Sequence, residues 1–440
     1  NKIMALRFDR NSLYNVTKVE TISGRPLEVT STSTAPTTVQ YTDVAKDAFG
    51  RLRTSDPFTL FDSSHRYTDN GQWVESTTAG GSSSMNSDEG LIDMTVTTAS
   101  GAQVLRETKR VFNYQPGKSL LSILSFNFNE AKANLKQRIG YYGASNGLYL
   151  EINGTNEPVF VKRSAVTGSV VNTEISQSNW NVDTLDGNGP SGITLNLSKV
   201  QILWFDFEWL GAGTVRCGFI INGEYIHCHS FQHANTVEGT YITTATLPIR
   251  AEIINTDTTA SNSTLKQICA TILSEGGYQL HGQSAEAKLP IASPRDLTVA
   301  STTYPIISIR LKSNRLDGVV ILDSLNVLGT TNNANYCWEI VQGGSTTGGS
   351  WVSPDTSSLV EYNITATGYS LGDGETITAG YAVGSNQGST VSVLDRANLF
   401  EFQLERNSFT STPYELVLVA STDNAGANVL ASLGWQETTR

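Results

Sequence analysis

Short blocks of Val, Ile, Leu, Phe, Tyr and Trp recur along the chain, separated by Ser, Thr, Asn and Gly. Blocks this short, bounded by turn residues, spell strands rather than helices. Between residues 49 and 280 they come close together, as in Leu120–Phe128, Arg138–Tyr142, Gly147–Ile152, Pro158–Arg163 and Ile193–Leu197. Thr214–Ile221 and Glu224–Phe231 flank Asn222-Gly223, the pair that a type I′ turn favours because both of its central residues need positive φ. This predicts a two-residue β-hairpin. In Ile307-Ser308-Ile309-Arg310-Leu311-Lys312 and in Phe400-Glu401-Phe402-Gln403-Leu404-Glu405, apolar and polar residues alternate strictly, as half-buried antiparallel strands require. The only helical pattern of note is Glu130–Lys136, one or two turns at most.

At 440 residues the chain exceeds one ordinary domain. The pattern predicts an all-β protein: a concanavalin-like, lectin-like jelly-roll sandwich over 49–281, then a second antiparallel β-sandwich over 304–440. Residues 282–303, with Pro290 and Pro294 among small polar residues, read as a linker. Residues 1–48 have little to bury and contain the Ser/Thr tract Thr30–Thr38. They read as an extended N-terminal arm or linker, with a free tail as the open alternative.

Charged residues are 16% of the chain, below the usual ~25%, and Ser, Thr, Asn and Gly fill the difference. The net charge of -11 comes with no basic cluster, so nucleic acid is not an expected partner. No run of about 18 apolar residues exists, and the first residues lack the apolar core of a signal peptide, so membrane insertion is not expected either. Four cysteines are too few for a disulfide scaffold and suit a reducing cytoplasm. Counting outward from the Asn222-Gly223 turn puts Cys217 opposite Cys228, where a disulfide is conceivable and two buried thiols are the expected state.

The most suggestive chemistry lies in Ile202–Trp209. As a strand it directs Leu203, Phe205, Phe207 and Trp209 to the core and leaves Trp204, Asp206 and Glu208 on the other face. Two carboxylates beside a tryptophan suggest a groove for sugar. The run resembles the catalytic strand of concanavalin-like retaining glycosidases, Glu-x-Asp-x-Glu, with Asp206 and Glu208 at its last two positions. Trp204 stands where the nucleophile belongs, and a retaining mechanism needs a second carboxylate about 5 Å from the acid. No enzyme is therefore expected, and Trp204, Asp206 and Glu208 are candidates for glycan binding.

His227-Cys228-His229 with His233 is the second candidate, because alternation would place His227 and His229 on one face. A cupin-like site would need a carboxylate soon after that pair, yet His233 occupies the place and Glu238 lies too far on. Thr184-Leu185-Asp186-Gly187-Asn188-Gly189 looks like a calcium loop, but Thr184 and Leu195 stand at two of its principal ligand positions. It reads as a turn. No nucleophile elbow or phosphate loop occurs, so neither metal nor cofactor is expected.

Several stretches carry a resemblance: Asp47–Arg53, Pro57–Tyr67, Leu265–Cys269 and Ser274–Tyr278. Together they resemble a family of virion structural proteins of tailed phages of marine bacteria, cyanophages above all. Ile309–Lys312 and Arg315–Ile321 are similar to domains repeated among such proteins. The resemblance spans about residues 45–440 and brings no catalytic motif. It implies a chain assembled in the bacterial cytoplasm and placed on the virion as fibre, decoration or tail-apparatus component. Other virion proteins and further copies of the chain, a trimer among the options, would be its partners, with the arm as docking segment. The alternative is a host-surface glycan adhesin using Trp204, Trp180 or Trp351 as stacking platforms, and a divergent glycosidase acting through Asp206 and Glu208 is a third.

Overall fold

The computed structural model describes residues 56–154, 157–276, 282–384 and 403–438, with the backbone of two further strands, Val16–Glu20 and Glu28–Ser31. Those two pair antiparallel. The rest of the expected arm, the stretch Asp47–Arg53, Tyr278 and residues 400–402 lie outside the described residues.

The chain is all-β, and among the described residues the single helical element is a 3-10 turn, Gln177–Asn179. The first domain is a sandwich of two antiparallel sheets. One runs, in spatial order, Glu224–Phe231, Val215–Ile221, Gln201–Phe207, Ser119–Asn127, Ser263–Glu275, Leu91–Val96 and Gly81–Asn86, with Pro57–Ser63 also paired to Ser263–Glu275. The facing seven-stranded sheet runs Val171–Ser176, Pro158–Ser164, Gly147–Ile152, Leu135–Tyr142, Ile249–Asn255, Gln103–Thr108 and Trp73–Thr78.

Strict alternation builds the core between them. Along Ser119–Asn127 every second residue is buried, and Leu120, Leu124 and Phe126 point inward to meet Leu203, Phe205, Ile139, Leu148 and Ile253. Each large side chain so buried contributes roughly 1.5–3 kcal/mol. The second domain has its own core, in which Ile307, Ile309, Leu311, Leu418, Trp338 and Trp435 meet between a four-stranded and a six-stranded sheet.

The hairpin forms where expected, with Asn222 at φ 55° and Gly223 at φ 82°. Other expectations are corrected. Residues 130–134 do not form a helix: so short a segment cannot offset the cost of nucleation, Asn134 turns through φ 66°, and Leu135 opens a strand. Ile193–Leu197 is a loop carrying one isolated bridge, Asp186 to Thr194. Gln403 likewise makes only an isolated bridge to Ile321, so the described part of Phe400–Glu405 is not a strand.

Residues 282–303 differ most. Gln283–Lys288 and Arg295–Leu297 are strands paired to Ala427–Glu437, and Ala287, Leu289 and Leu297 enter the second core. Pro290 and Pro294 sit between those strands, where they cost no ladder hydrogen bond.

The two sandwiches meet through polar contacts. Arg110 Nε donates to both Glu405 oxygens at 2.7 and 2.9 Å, Asn113 Nδ2 donates to Gln403 Oε1 at 2.8 Å, and Ser408 Oγ donates to the Thr108 carbonyl at 2.5 Å. Glu405 is buried in this junction.

Candidate functional site

The site grows out of the strand Gln201–Phe207. Leu203, Phe205 and Phe207 enter the core as the alternation requires, which sends Trp204 and Asp206 to the outer face of the eight-stranded sheet. The register then fixes their neighbours. Trp204 lies between Gly218 on one side and Ile123 on the other, and Asp206 lies between Arg216 and Leu121.

Trp204 is 5% exposed, so it is not an open platform. Its ladder neighbour Gly218 has no side chain, and the indole lies across that gap toward the next strand. It donates Nε1–H to the carbonyl of Phe219, the residue after Gly218, at 3.3 Å, and meets the rings of Tyr225 and His227 on the next strand, with centroids 5.7 and 5.9 Å away. Tyr225 caps this cluster and is 55% exposed. Burial and then the Glu275 carboxylate push its phenol up from the ordinary range.

Asp206 is buried and pairs with the Arg216 guanidinium, while it accepts the Ser119 hydroxyl. Ser119 stands opposite Glu275 on the neighbouring strand. Glu275 is raised above the usual carboxylate range, by burial first and by the charge of Asp206 second. The result is a chain of groups, Arg216, Asp206, Ser119 and Glu275, on the face where the exposed Tyr225 ring packs on Trp204.

Glu208 does not share this arrangement as expected: the strand ends at Phe207, and the Glu208 charge acts on Tyr114 instead. Of the other two tryptophans, Trp180 is buried against Phe160 and Phe219, and Trp351 lies beneath the Arg310 guanidinium, 3.9 Å from the ring centroid.

The histidines and cysteines are rearranged by a single irregularity. The hairpin keeps its ideal register out to Gly218 opposite His227, then shifts, and Cys217 pairs with His229. Cys228 is the extra residue of a β-bulge. His227 therefore stays on the outer face with Trp204, whereas His229 turns with Cys217 to the inner side and packs on Phe231. Its Nδ1 accepts the Asn181 backbone N–H, and burial, then the charge of His227, pushes it down to about 4.

His233 is elsewhere again, stacked on Tyr241 at 3.9 Å, donating Nδ1–H to the Gly213 carbonyl and accepting from Lys162. Among the described residues no group of three His, Cys, Asp or Glu side chains is placed to hold a metal. Cys217 and Cys228 are free and buried, so their expected pairing across the ladder is corrected while their expected burial is found.

In the loop at Thr184–Gly189 the carboxylates are occupied by the chain itself. Asp183 accepts the backbone N–H groups of Leu185 and Ser191, and Asp186 accepts that of Asn188 and the Thr184 hydroxyl. It is a turn, as read.

Sequence reasoning missed Ser119, Arg216, Tyr225 and Glu275. The hairpin register alone places Tyr225 beside Ile220 and His227 beside Gly218. Ser119 and Glu275 come from strands distant in sequence, and no local signal joins them to Asp206.

No family model matches the chain, and no curated protein does. Among solved structures, the chain is similar to a Bacteroides ovatus mixed linkage glucan GH16 protein solved with a product, at 10% identity and a TM-score of 0.33, over 48% of this chain and 99% of that one. It is similar to the Emp47p carbohydrate recognition domain at 10% identity and a TM-score of 0.32, over 53% and 100%. It is also similar to the CBM2 module of an evolved Dit protein from Lactobacillus casei BL23 phage J-1, at 7% identity and a TM-score of 0.32, over 52% and 100%. None of these likenesses transfers a site or a ligand. No helix among the described residues is long and apolar enough to cross a membrane.

Proposed function

We propose that this chain is a non-catalytic, glycan-binding structural component of a tailed-phage virion. The observation that carries the binding half is the outer face of the eight-stranded sheet, where the exposed Tyr225 ring packs on Trp204 and the next outward residue of that strand, Asp206, joins Arg216 and Ser119. An exposed ring on a face that also carries hydrogen-bonding groups suits a sugar, since sugars offer an apolar face and a rim of hydroxyls. Binding without cleavage is supported by the state of Asp206, which is buried and tied to Arg216, and by Trp204 in the position of a nucleophile.

The virion half rests on the resemblance described above. Two of its stretches, Pro57–Tyr67 and Ser274–Tyr278, are distant in sequence, yet Pro57 and Phe58 of the first pair with Glu275 and Ser274 of the second. The polar junction centred on Arg110 and Glu405 favours the two sandwiches acting as one stiff part, as assembly requires.

The experiment is a screen of the whole chain against immobilised host-surface polysaccharides, scored for retention and for release of reducing ends. Retention without release is expected. Release that disappears on Asp206→Asn or Glu275→Gln would replace binding by hydrolysis, and no retention on any glycan would end the reading. A particle map with density for the two sandwiches tests the virion placement.

A further inference from the structure

Alternation along Pro158–Ser164 sends Val159 and Val161 to the outer face of the seven-stranded sheet and Phe160 into the core. Lys162 is the next inward residue, set between Leu148, itself a core residue, and Thr173. An ammonium therefore stands half-buried at the rim of the space between the sheets, where the pattern calls for an apolar side chain. The facing sheet supplies its surroundings: Phe231 ends the edge strand Glu224–Phe231, and His233 follows two residues on.

The polar partner of this amine is an imidazole and not a carboxylate. Lys162 Nζ lies 3.0 Å from His233 Nε2, and His233 Nδ1 lies 2.7 Å from the Gly213 carbonyl oxygen. A carbonyl only accepts, so Nδ1 carries the proton of the neutral ring and Nε2 presents its lone pair to Lys162. Stacking on Tyr241, at 3.9 Å between centroids, fixes the imidazole in this setting, and both rings are buried. A second proton on the ring would turn Nε2–H toward an ammonium that has only donors. The pair therefore holds at most one positive charge.

Among the described residues no carboxylate pairs with Lys162, and burial lowers its basicity. The rings of Phe231 and Tyr241 lie 5.8 and 5.9 Å from Nζ, near the ~6 Å limit of a cation–π contact, and support the ammonium only weakly. By contrast, Lys266 and Lys288 pair with Glu89 and Glu286, and Lys118 and Lys312 donate to the Gly276 and Ser358 carbonyls. Once one proton is lost to solvent, Lys162 donates a single N–H to Nε2 and its lone pair is free.

We propose that Lys162 is a covalent acceptor site for small aldehydes, with His233 as the residue that positions its amine. The amine attacks the carbonyl carbon and a C–N bond forms; the carbonyl oxygen takes one proton from the amine and one from solvent and leaves as water. Lysine ammonium and aldehyde thus give iminium and water, with total charge unchanged and nothing oxidised or reduced. The single N–H left on the iminium nitrogen keeps the bond to Nε2, so the adduct satisfies the partner that held the amine. The half-buried rim position admits a small aldehyde rather than a bulky one. This site is separate from the Tyr225 face and does not depend on glycan binding there.

Reductive alkylation of the whole chain tests it. Glyceraldehyde is added near neutral pH with cyanoborohydride, which traps the imine by hydride transfer to its carbon, and peptide mass spectrometry follows every lysine with time. Lys162 is expected to react at least about tenfold faster than the exposed Lys109 and Lys199. In Lys162→Arg the fast product should vanish while Lys109 and Lys199 keep their rates. Nitrogen NMR of the His233 ring should show a proton on Nδ1 and none on Nε2. Labelling of Lys162 no faster than that of Lys109 and Lys199, or only after unfolding, overturns the proposal. A proton on Nε2 overturns it as well, because the amine would then have no acceptor to hold it.

Discussion

Trp204 donates its indole N–H to the Phe219 carbonyl at 3.3 Å, and the residue that lets it reach there is Gly218, its side-chain-free neighbour in the ladder. A Cβ at Gly218 would stand 1.9 Å from the Ile226 carbonyl oxygen, which is backbone and cannot swing away. Gly218→Ala is therefore expected to destabilise the first domain by roughly 1–3 kcal/mol, the usual range for overpacking. Thermal melts check it, and a red shift of tryptophan fluorescence would report the displaced indole.

The junction between the sandwiches predicts a second effect. Glu405 is buried and takes its main ion pair from Arg110, so Arg110→Ala leaves a carboxylate that, among the described residues, only the weaker Gln342 contact at 3.3 Å supports. A loss of about 1–3 kcal/mol is expected. Calorimetry should show the two domains melting farther apart than in the parent chain, and unchanged melting would mean that the junction does not couple them.

Acid should act through His229. Its folded-state basicity is depressed to about 4 against an ordinary 6.5, so the native state binds fewer protons than the unfolded one. The stability tied to this group is fully present above about 6.5 and is lost as the pH falls toward 4. His229→Gln should flatten the pH dependence of the melting temperature in that window. An equally steep dependence in the variant would assign the effect to other groups.

Glu275 has the opposite sign. Its folded-state value is raised, so the ionised form burdens the native state, and the penalty appears as the pH rises through that value. Glu275→Gln should raise the melting temperature at neutral pH and show little difference below the ordinary carboxylate range. Denaturant titrations at both pH values distinguish this from a simple packing change.

The four thiols should divide by burial. Cys217 and Cys228 are free, buried and pushed up by that burial, whereas Cys269 is exposed and Cys337 is partly so. A thiol reagent should modify Cys269 at once, and Cys217 and Cys228 only after unfolding. Mass spectrometry of the oxidised protein should show no bond between Cys217 and Cys228.

What the sequence determined by itself was whatever depends on the period of one strand. The all-β class, the inward set Leu203, Phe205 and Phe207, the outward Trp204 and Asp206, and the Asn222-Gly223 turn all follow from alternation or turn chemistry within a few residues. The tertiary structure decided what depends on which strand lies beside which. One extra residue at Cys228 separated His227 from His229 and moved Cys217 away from its expected partner. A register shift is invisible locally because each strand keeps its own alternation on either side of the bulge. Trp204 was covered rather than open because a glycine and two aromatic rings on neighbouring strands let it lie down. The prolines that read as a linker instead punctuate two strands, since Ala427–Glu437, far along the chain, supplies their hydrogen-bonding edge. Glu275 joined Asp206 for the same reason: long-range pairing, and not local pattern, sets the neighbours across a sheet.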